Sequence, residues 1–163
     1  MAGGGLVQCV DQCGGGLLKP LADELNLDVE KEHDLVKVAQ YHVNHHGNNR
    51  DDLTNAILNG FSSRQTRVTD NHQILARLPI ETYWTTNYDT LIEDSLKANY
   101  RVADVKRRVN DLVTTRPKRD AVVYKMHGDV SLPGDAILYK EQYEKYHRTH
   151  EAFVTALSGD LVS

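Results

Sequence analysis

The chain has 163 residues, 40% hydrophobic and 26% charged, a composition that suits one soluble globular domain with its own core. Its net charge of -4 excludes a general attraction to nucleic acid or to anionic membrane surfaces. No apolar run approaches the roughly 20 residues that span a bilayer, and the first residues lack the basic-then-apolar pattern of a secretory signal, so the expected compartment is the cytoplasm.

Residues 1–16 read as a Gly-rich, flexible leader. Gly3-Gly4-Gly5 and Gly14-Gly15-Gly16 could cradle a phosphate or simply stay flexible, but too few residues precede Gly3 to form the strand of a dinucleotide fingerprint. Cys9 and Cys13 are read as reduced thiols, since C-x3-C offers two ligands where a structural zinc site takes about four.

From Leu17 the spacing becomes helical. Leu17, Leu18, Leu21, Ala22 and Leu25 share a face, with Pro20 near the first turn. A second helix is expected from about Glu32 to His46, with Gly47 as its stop. A third contains Leu53, Ala56, Ile57 and Leu58, after a polar run ending at Asp51. Residues 62–70 read as loop, and His72 to Leu78 as a short helix ended by Pro79.

Then the pattern changes. Ile80 to Thr86 is β-branched and aromatic, and reads as a strand. Asp89 to Leu96 reads as a helix, Ala121 to Met126 as a second strand, and Ala136-Ile137-Leu138 as a short third one. Glu141 to Leu157 reads as helical, in two pieces. Strands alternating with helices predict an α/β fold: a Rossmann-like parallel sheet flanked by helices, with a helical insertion or subdomain in the N-terminal half.

Ligands of open α/β sheets bind beyond the carboxyl ends of the strands. Asn87 lies just beyond the first strand, and Asp89 in the expected first helical turn, where a carboxylate is favoured. His127-Gly128 follows the second strand, where an imidazole could serve as a base and a glycine permits close approach. Either segment alone could be an ordinary turn. Together, on neighbouring parallel strands, they would share one mouth.

Thr86-Asn87-Tyr88-Asp89-Thr90-Leu91 and His127-Gly128 resemble the Asn-x-Asp segment and the catalytic His-Gly of sirtuins. The stretches Tyr83 to Glu93, Val123 to Asp129 and Tyr139 to Tyr146 are most similar to sirtuin-like domains of bacterial antiviral defence proteins. The resemblance implies a single sirtuin-like domain over residues 17–163 that binds NAD as substrate and cleaves its nicotinamide–ribose bond. It implies Asn87 and His127 as catalytic residues, and Thr86, Asp89 and Gly128 as cofactor-binding. Asn87 would position a water and the ribose, Asp89 the nicotinamide amide, and His127 would act as base. The family's Gly-Ala-Gly-x-Ser loop and its later Gly-x-Ser segment are not recognised, so the domain is read as incomplete. The paired Cys-x-x-Cys zinc ligands of the deacylating sirtuins are absent after His127, which favours NAD hydrolysis over deacylation. A non-catalytic relative used for binding or oligomerisation is the alternative, and a homo-oligomer or larger defence complex the expected setting.

Three further features are weighed. His42, His45 and His46 have a spacing able to ligate a transition metal, but imidazoles also suit a helix C-terminus, so no metal ligand is assigned. His147 and His150 are read the same way. Lys106-Arg107-Arg108 and Arg116-Pro117-Lys118-Arg119 read as a solvated loop face rather than a nucleic-acid surface, because no aromatics interleave. Tyr139, Tyr143 and Tyr146 form a helical stripe for core or interface packing.

Overall fold

The computed structural model describes residues 18–28, 34–62 and 67–162. The Gly-rich segment with Cys9 and Cys13 lies outside the described residues.

Among the described residues, four helices precede the first strand: α1 (Lys19–Glu24), α2 (Leu35–His45), α3 (Asp51–Ser62) and α4 (Asp70–Arg77). Their starts follow local chemistry. Pro20 stands at the beginning of α1, where its missing N–H costs nothing. The Asp34 carboxylate accepts the Lys37 N–H at 3.2 Å and caps α2. Asp51 and Asp52 occupy the first turn of α3, complementing its dipole. Gly47 leaves α2 with φ of 63°.

Among the described residues the sheet has three parallel strands, β1 (Thr82–Thr85), β2 (Ala103–Lys106) and β3 (Ala121–Lys125), in the order β1-β3-β2. Helix α5 (Leu91–Ala98) links β1 to β2. After β3 the chain passes through a 3-10 turn at Pro133–Asp135 into α6 (Lys140–Thr149) and α7 (Glu151–Val162), so the two expected helical pieces are present. The α/β class, the parallel sheet and the helical N-terminal block agree with the sequence reading.

One strand was misplaced. Residues 136–138 are buried but join no strand pair; the third strand is β2. Ala136 and Leu138 instead pack with Leu18, Ala39, Val43, Leu53 and Tyr88 in a core between the helical block and the sheet edge. Strand β2 escaped notice because it is short and runs into Arg107 and Arg108: only Ala103 and Val105 face the apolar core, while Asp104 and Lys106, buried on the other side, pair at 2.9 Å. The helix expected from Asp89 begins at Leu91, which puts Asp89 before it.

A second core covers one face of the sheet. Ala76 and Leu96, from α4 and α5, pack on Tyr83, Ala121 and Val123. The two partners of Val123, Tyr83 in β1 and Val105 in β2, centre the sheet on β3. Trp84 and Tyr124 stack with centroids 4.0 Å apart, and Trp84 Nε1 donates to Asp160 of α7 at 2.8 Å. Fully buried Leu18, Leu53, Leu96 and Leu138 each contribute about 1.5–3 kcal/mol of apolar transfer.

The amino end of the sheet is tied by Arg101. Its guanidinium donates to the carbonyls of Ala76 (3.1 Å), Leu78 (2.8 Å), Ile80 (2.6 Å) and Asp120 (3.1 Å), and to the Tyr83 hydroxyl (3.3 Å). That leaves the opposite, carboxyl edge to carry the turns that follow β1 and β3. Among the described residues, no helix is long and apolar enough to cross a membrane.

Candidate functional site

Parallel strands end on the same side, so β1 and β3 deliver their following residues to one edge. Thr85 pairs with Lys125, and the Met126 N–H donates to the Thr85 carbonyl at 2.9 Å. Asn87 and His127 each lie two residues beyond that pair. The structure therefore brings both catalytic candidates to the same edge on adjacent strands.

The turn carrying Asn87 is held from several directions. Its own N–H donates to Thr85 Oγ1 at 3.1 Å, while no described residue hydrogen-bonds its side-chain amide. Tyr88, fully buried, donates its hydroxyl to the Ile137 carbonyl at 2.6 Å. Its own carbonyl accepts the Val130 N–H at 2.8 Å. Asp89 Oδ1 accepts the Leu91 N–H at 3.1 Å and so helps cap α5. Thr86 is partly buried beside Asn87.

His127 follows the turn out of β3. Its ring meets Tyr143 and Tyr146 edge-on, with centroids 5.0 and 5.7 Å away. Its carbonyl accepts the Ile137 N–H at 2.9 Å, and its buried Nδ1 has no hydrogen-bond partner among the described residues. Burial, reinforced by nearby His150, lowers the imidazole from 6.5 to about 4. The ring is consequently neutral at physiological pH. Burial also pushes the Tyr146 phenol well up, so it stays a neutral donor, and it donates to the Met126 carbonyl at 2.7 Å.

Gly128 has φ of 101°, and a Cβ there would lie 2.7 Å from the Ala136 Cα. The close approach expected of this glycine is thus made by Ala136, within the protein.

Beneath these turns lies a charge cluster that the sequence reading missed. Lys125, fully buried, sits 3.0 Å from Asp129 Oδ2 and 3.3 Å from Glu93 Oε1. Its ammonium also donates to the Tyr88 carbonyl at 3.1 Å and to the Asp89 carbonyl. Asp129 accepts the Ser131 N–H at 2.8 Å and the Arg107 Nε at 3.0 Å. Burial alone would raise the Asp129 carboxyl, but Ser131 and Lys125 outweigh it and hold it below the usual range. For Glu93 burial prevails over Lys125, and its carboxyl is raised. The signal was a lysine in step with Ala121 and Val123, on the buried face of β3.

Of the two basic clusters assigned to a solvated face, Arg116-Pro117-Lys118-Arg119 is exposed as expected, whereas the first is internal only at Lys106. Lys106 is buried against Asp104, and Arg107 and Arg108 pair with Asp129 and Asp135. These arginines border a cleft of about 720 Å3 whose wall also includes Arg50, Tyr139, Lys145 and His150. His150 stacks on Tyr146, with centroids 4.6 Å apart, so the cleft adjoins the ring cluster around His127 without reaching Asn87. His147 is exposed and does not join His150 there. The tyrosine stripe packs as expected, and two of its members wall His127.

A SIR2-like domain model matches residues 81–163. The chain is 56% identical over 147 residues to the NAD(+) hydrolase ThsA of Bacillus cereus (strain MSX-D12), covering 90% of this chain and 31% of that protein. It is 56% identical over 148 residues to the NAD(+) hydrolase ThsA of Acinetobacter baumannii (strain 532279), covering 90% of this chain and 30% of that protein. With the protein of that name from Cytobacillus dafuensis it shares 49% over 148 residues, covering 91% of this chain and 29% of that protein. The chain thus spans about a third of the length of these relatives.

Proposed function

The chain belongs to the SIR2-like domain family, and on that premise we propose that it forms part of an NAD hydrolase. Residues 18–162 then make one sheet edge that handles the nicotinamide–ribose end of NAD, with Asn87 and His127 as catalytic residues and Thr86, Asp89 and Gly128 lining the cofactor. The observation carrying this reading is the placement of Asn87 and His127 at equal distance beyond the Thr85–Lys125 pair.

In the reaction, water adds to the ribose carbon as its bond to nicotinamide breaks. The products are ADP-ribose, nicotinamide and one proton. The departing ring takes the bonding electrons and becomes neutral, so no acid is needed to release it. The demand is for an oriented water, a place for its proton and exclusion of other acceptors. The Asn87 amide, unclaimed by described residues, can orient water and ribose hydroxyls without competing as a nucleophile. Neutral His127 can take the proton from water or a ribose hydroxyl. The free oxygen of Asp89 can accept from the nicotinamide amide while the other caps α5. Gly128 shapes this edge through its seat on Ala136.

The compartment that suits this activity is the cytoplasm, where NAD is plentiful, and the fitting assembly is a homo-oligomer or a larger defence complex. The reading is tested by calorimetric titration of the chain with NAD. Saturable binding that weakens in Asn87→Ala supports it; equal binding by both proteins contradicts the assignment.

A further inference from the structure

Away from the sheet edge, α1 and α2 bring three ligating groups together. His42 and His46 stand four residues apart, hence on one face of α2. Glu24, at the end of α1, reaches both: Oε2 lies 3.1 Å from His42 Nε2, and Oε1 lies 3.0 Å from His46 Nε2. One ligand atom from each of the three residues lies within 4.8 Å of the others. The two imidazoles are stacked, with centroids 4.4 Å apart and 26° between planes. His45 meets His46 edge-on at 5.2 Å, but is exposed and does not join the convergence.

Ordinary hydrogen bonding accounts for only part of this. His42 Nε2 is aligned with Glu24, but buried His46 Nε2 makes no aligned hydrogen bond despite its 3.0 Å approach. His42 is fully buried, with Nε2 as the nitrogen that faces Glu24. Burying His46 Nε2 against Glu24 without an aligned partner among the described residues is costly unless something else satisfies it. Metal bonds of about 2.0–2.2 Å in a tetrahedral site place neighbouring ligand atoms about 3.3 Å apart. The observed spacings need little change to reach that arrangement.

We propose that Glu24, His42 and His46 form a site for a divalent transition cation of the zinc type, which fastens α1 to α2. Two imidazoles and one carboxylate favour such ions over magnesium or calcium, which prefer all-oxygen shells. Glu24 is 47% exposed and His46 28%, so the fourth position opens to solvent and takes water. The role is structural. Helix α1 has only six residues and packs on α2 through Leu18 and Leu21 against Ala39 and Val43, so a cross-link there holds a short element in place. The site is remote in sequence from Asn87 and His127 and does not depend on the NAD reading.

The test uses the full chain with Cys9→Ser and Cys13→Ser, so that thiols contribute nothing, stripped with chelator and titrated with Co2+. The expected result is one equivalent bound, visible d–d absorption of low-coordinate cobalt, displacement by Zn2+ and a rise in Tm with metal concentration. His46→Ala and Glu24→Gln should each lose the absorption while keeping the far-UV circular dichroism of the parent, and His45→Ala should keep it. Absence of stoichiometric binding in the cysteine-free parent would overturn the proposal. So would absorption that persists in both His46→Ala and Glu24→Gln.

Discussion

Lys125 and Asp129, four residues apart and both fully buried, pair at 3.0 Å beneath the turn that presents Asn87. The same ammonium binds the carbonyls of Tyr88 and Asp89, so one side chain joins the exit of β3 to the turn after β1. Through Asp129 the network continues to Arg107, beyond β2. All three strand exits are therefore fixed relative to one another by buried charge.

Removing one member of such a network leaves the others buried and unpaired. Lys125→Met should destabilise the protein by about 3–5 kcal/mol, read as a lower urea midpoint. Adding Asp129→Asn should cost less than the sum of the separate changes, because the carboxylate stranded by the first is removed by the second. Additive losses would show that the two residues do not act together.

Gly128→Ala forces a Cβ into Ala136 at a backbone angle that L side chains rarely adopt. A loss of about 2–4 kcal/mol is expected, with Ala136 displaced. A variant as stable as the parent would show that the 136–138 segment gives way freely. Gly47, with a similar φ but nothing within 4 Å, should lose only about 1–2 kcal/mol on the same change.

The pH dependence follows from His127. Its folded value is about 4, below the 6.5 of the unfolded chain, so the unfolded state binds the proton more readily as pH falls. This contribution is fully present above about pH 6.5 and is lost progressively toward pH 4. By pH 5 the loss amounts to about 2 kcal/mol, and His150, also lowered by burial, acts in the same direction. Unfolding in urea at pH 7 and pH 5 should show the difference shrink in His127→Ala. An unchanged difference would mean that other groups govern it.

Arg101→Ala frees four carbonyls and a hydroxyl at the amino end of the sheet. A loss of about 2–3 kcal/mol is expected, with little effect on events at the opposite edge. Nicotinamide release that fell in step with stability would indicate that the two ends are coupled.

Much of this was legible in the sequence because local rules held. The β-branched run of β1, the apolar β3 and the helical spacing before Pro79 each indicated their elements, and parallel topology then carried Asn87 and His127 to one edge. Illegible parts share a cause: charge standing where apolar residues are expected. Asp104 and Lys106 satisfy each other inside β2, and the two alternating apolar positions, Ala103 and Val105, are too few to mark the strand. Lys125 satisfies Asp129 and two carbonyls, so a buried lysine read as the end of a strand. Apolar Ala136-Ile137-Leu138 misled in the opposite sense, since burial there comes from packing on the helical block and on Gly128. The alignment of Glu24 with His42 and His46 joins two helices whose relative placement no local pattern encodes.

The central claim is that Asn87 and His127 act on the nicotinamide–ribose bond, and nicotinamide release from NAD by the purified chain tests it most directly. Release by the parent, reduced about 10²–10⁴-fold in His127→Ala and strongly in Asn87→Ala with the fold retained, is the expected result. No release by the parent, or unchanged release by His127→Ala, would contradict it.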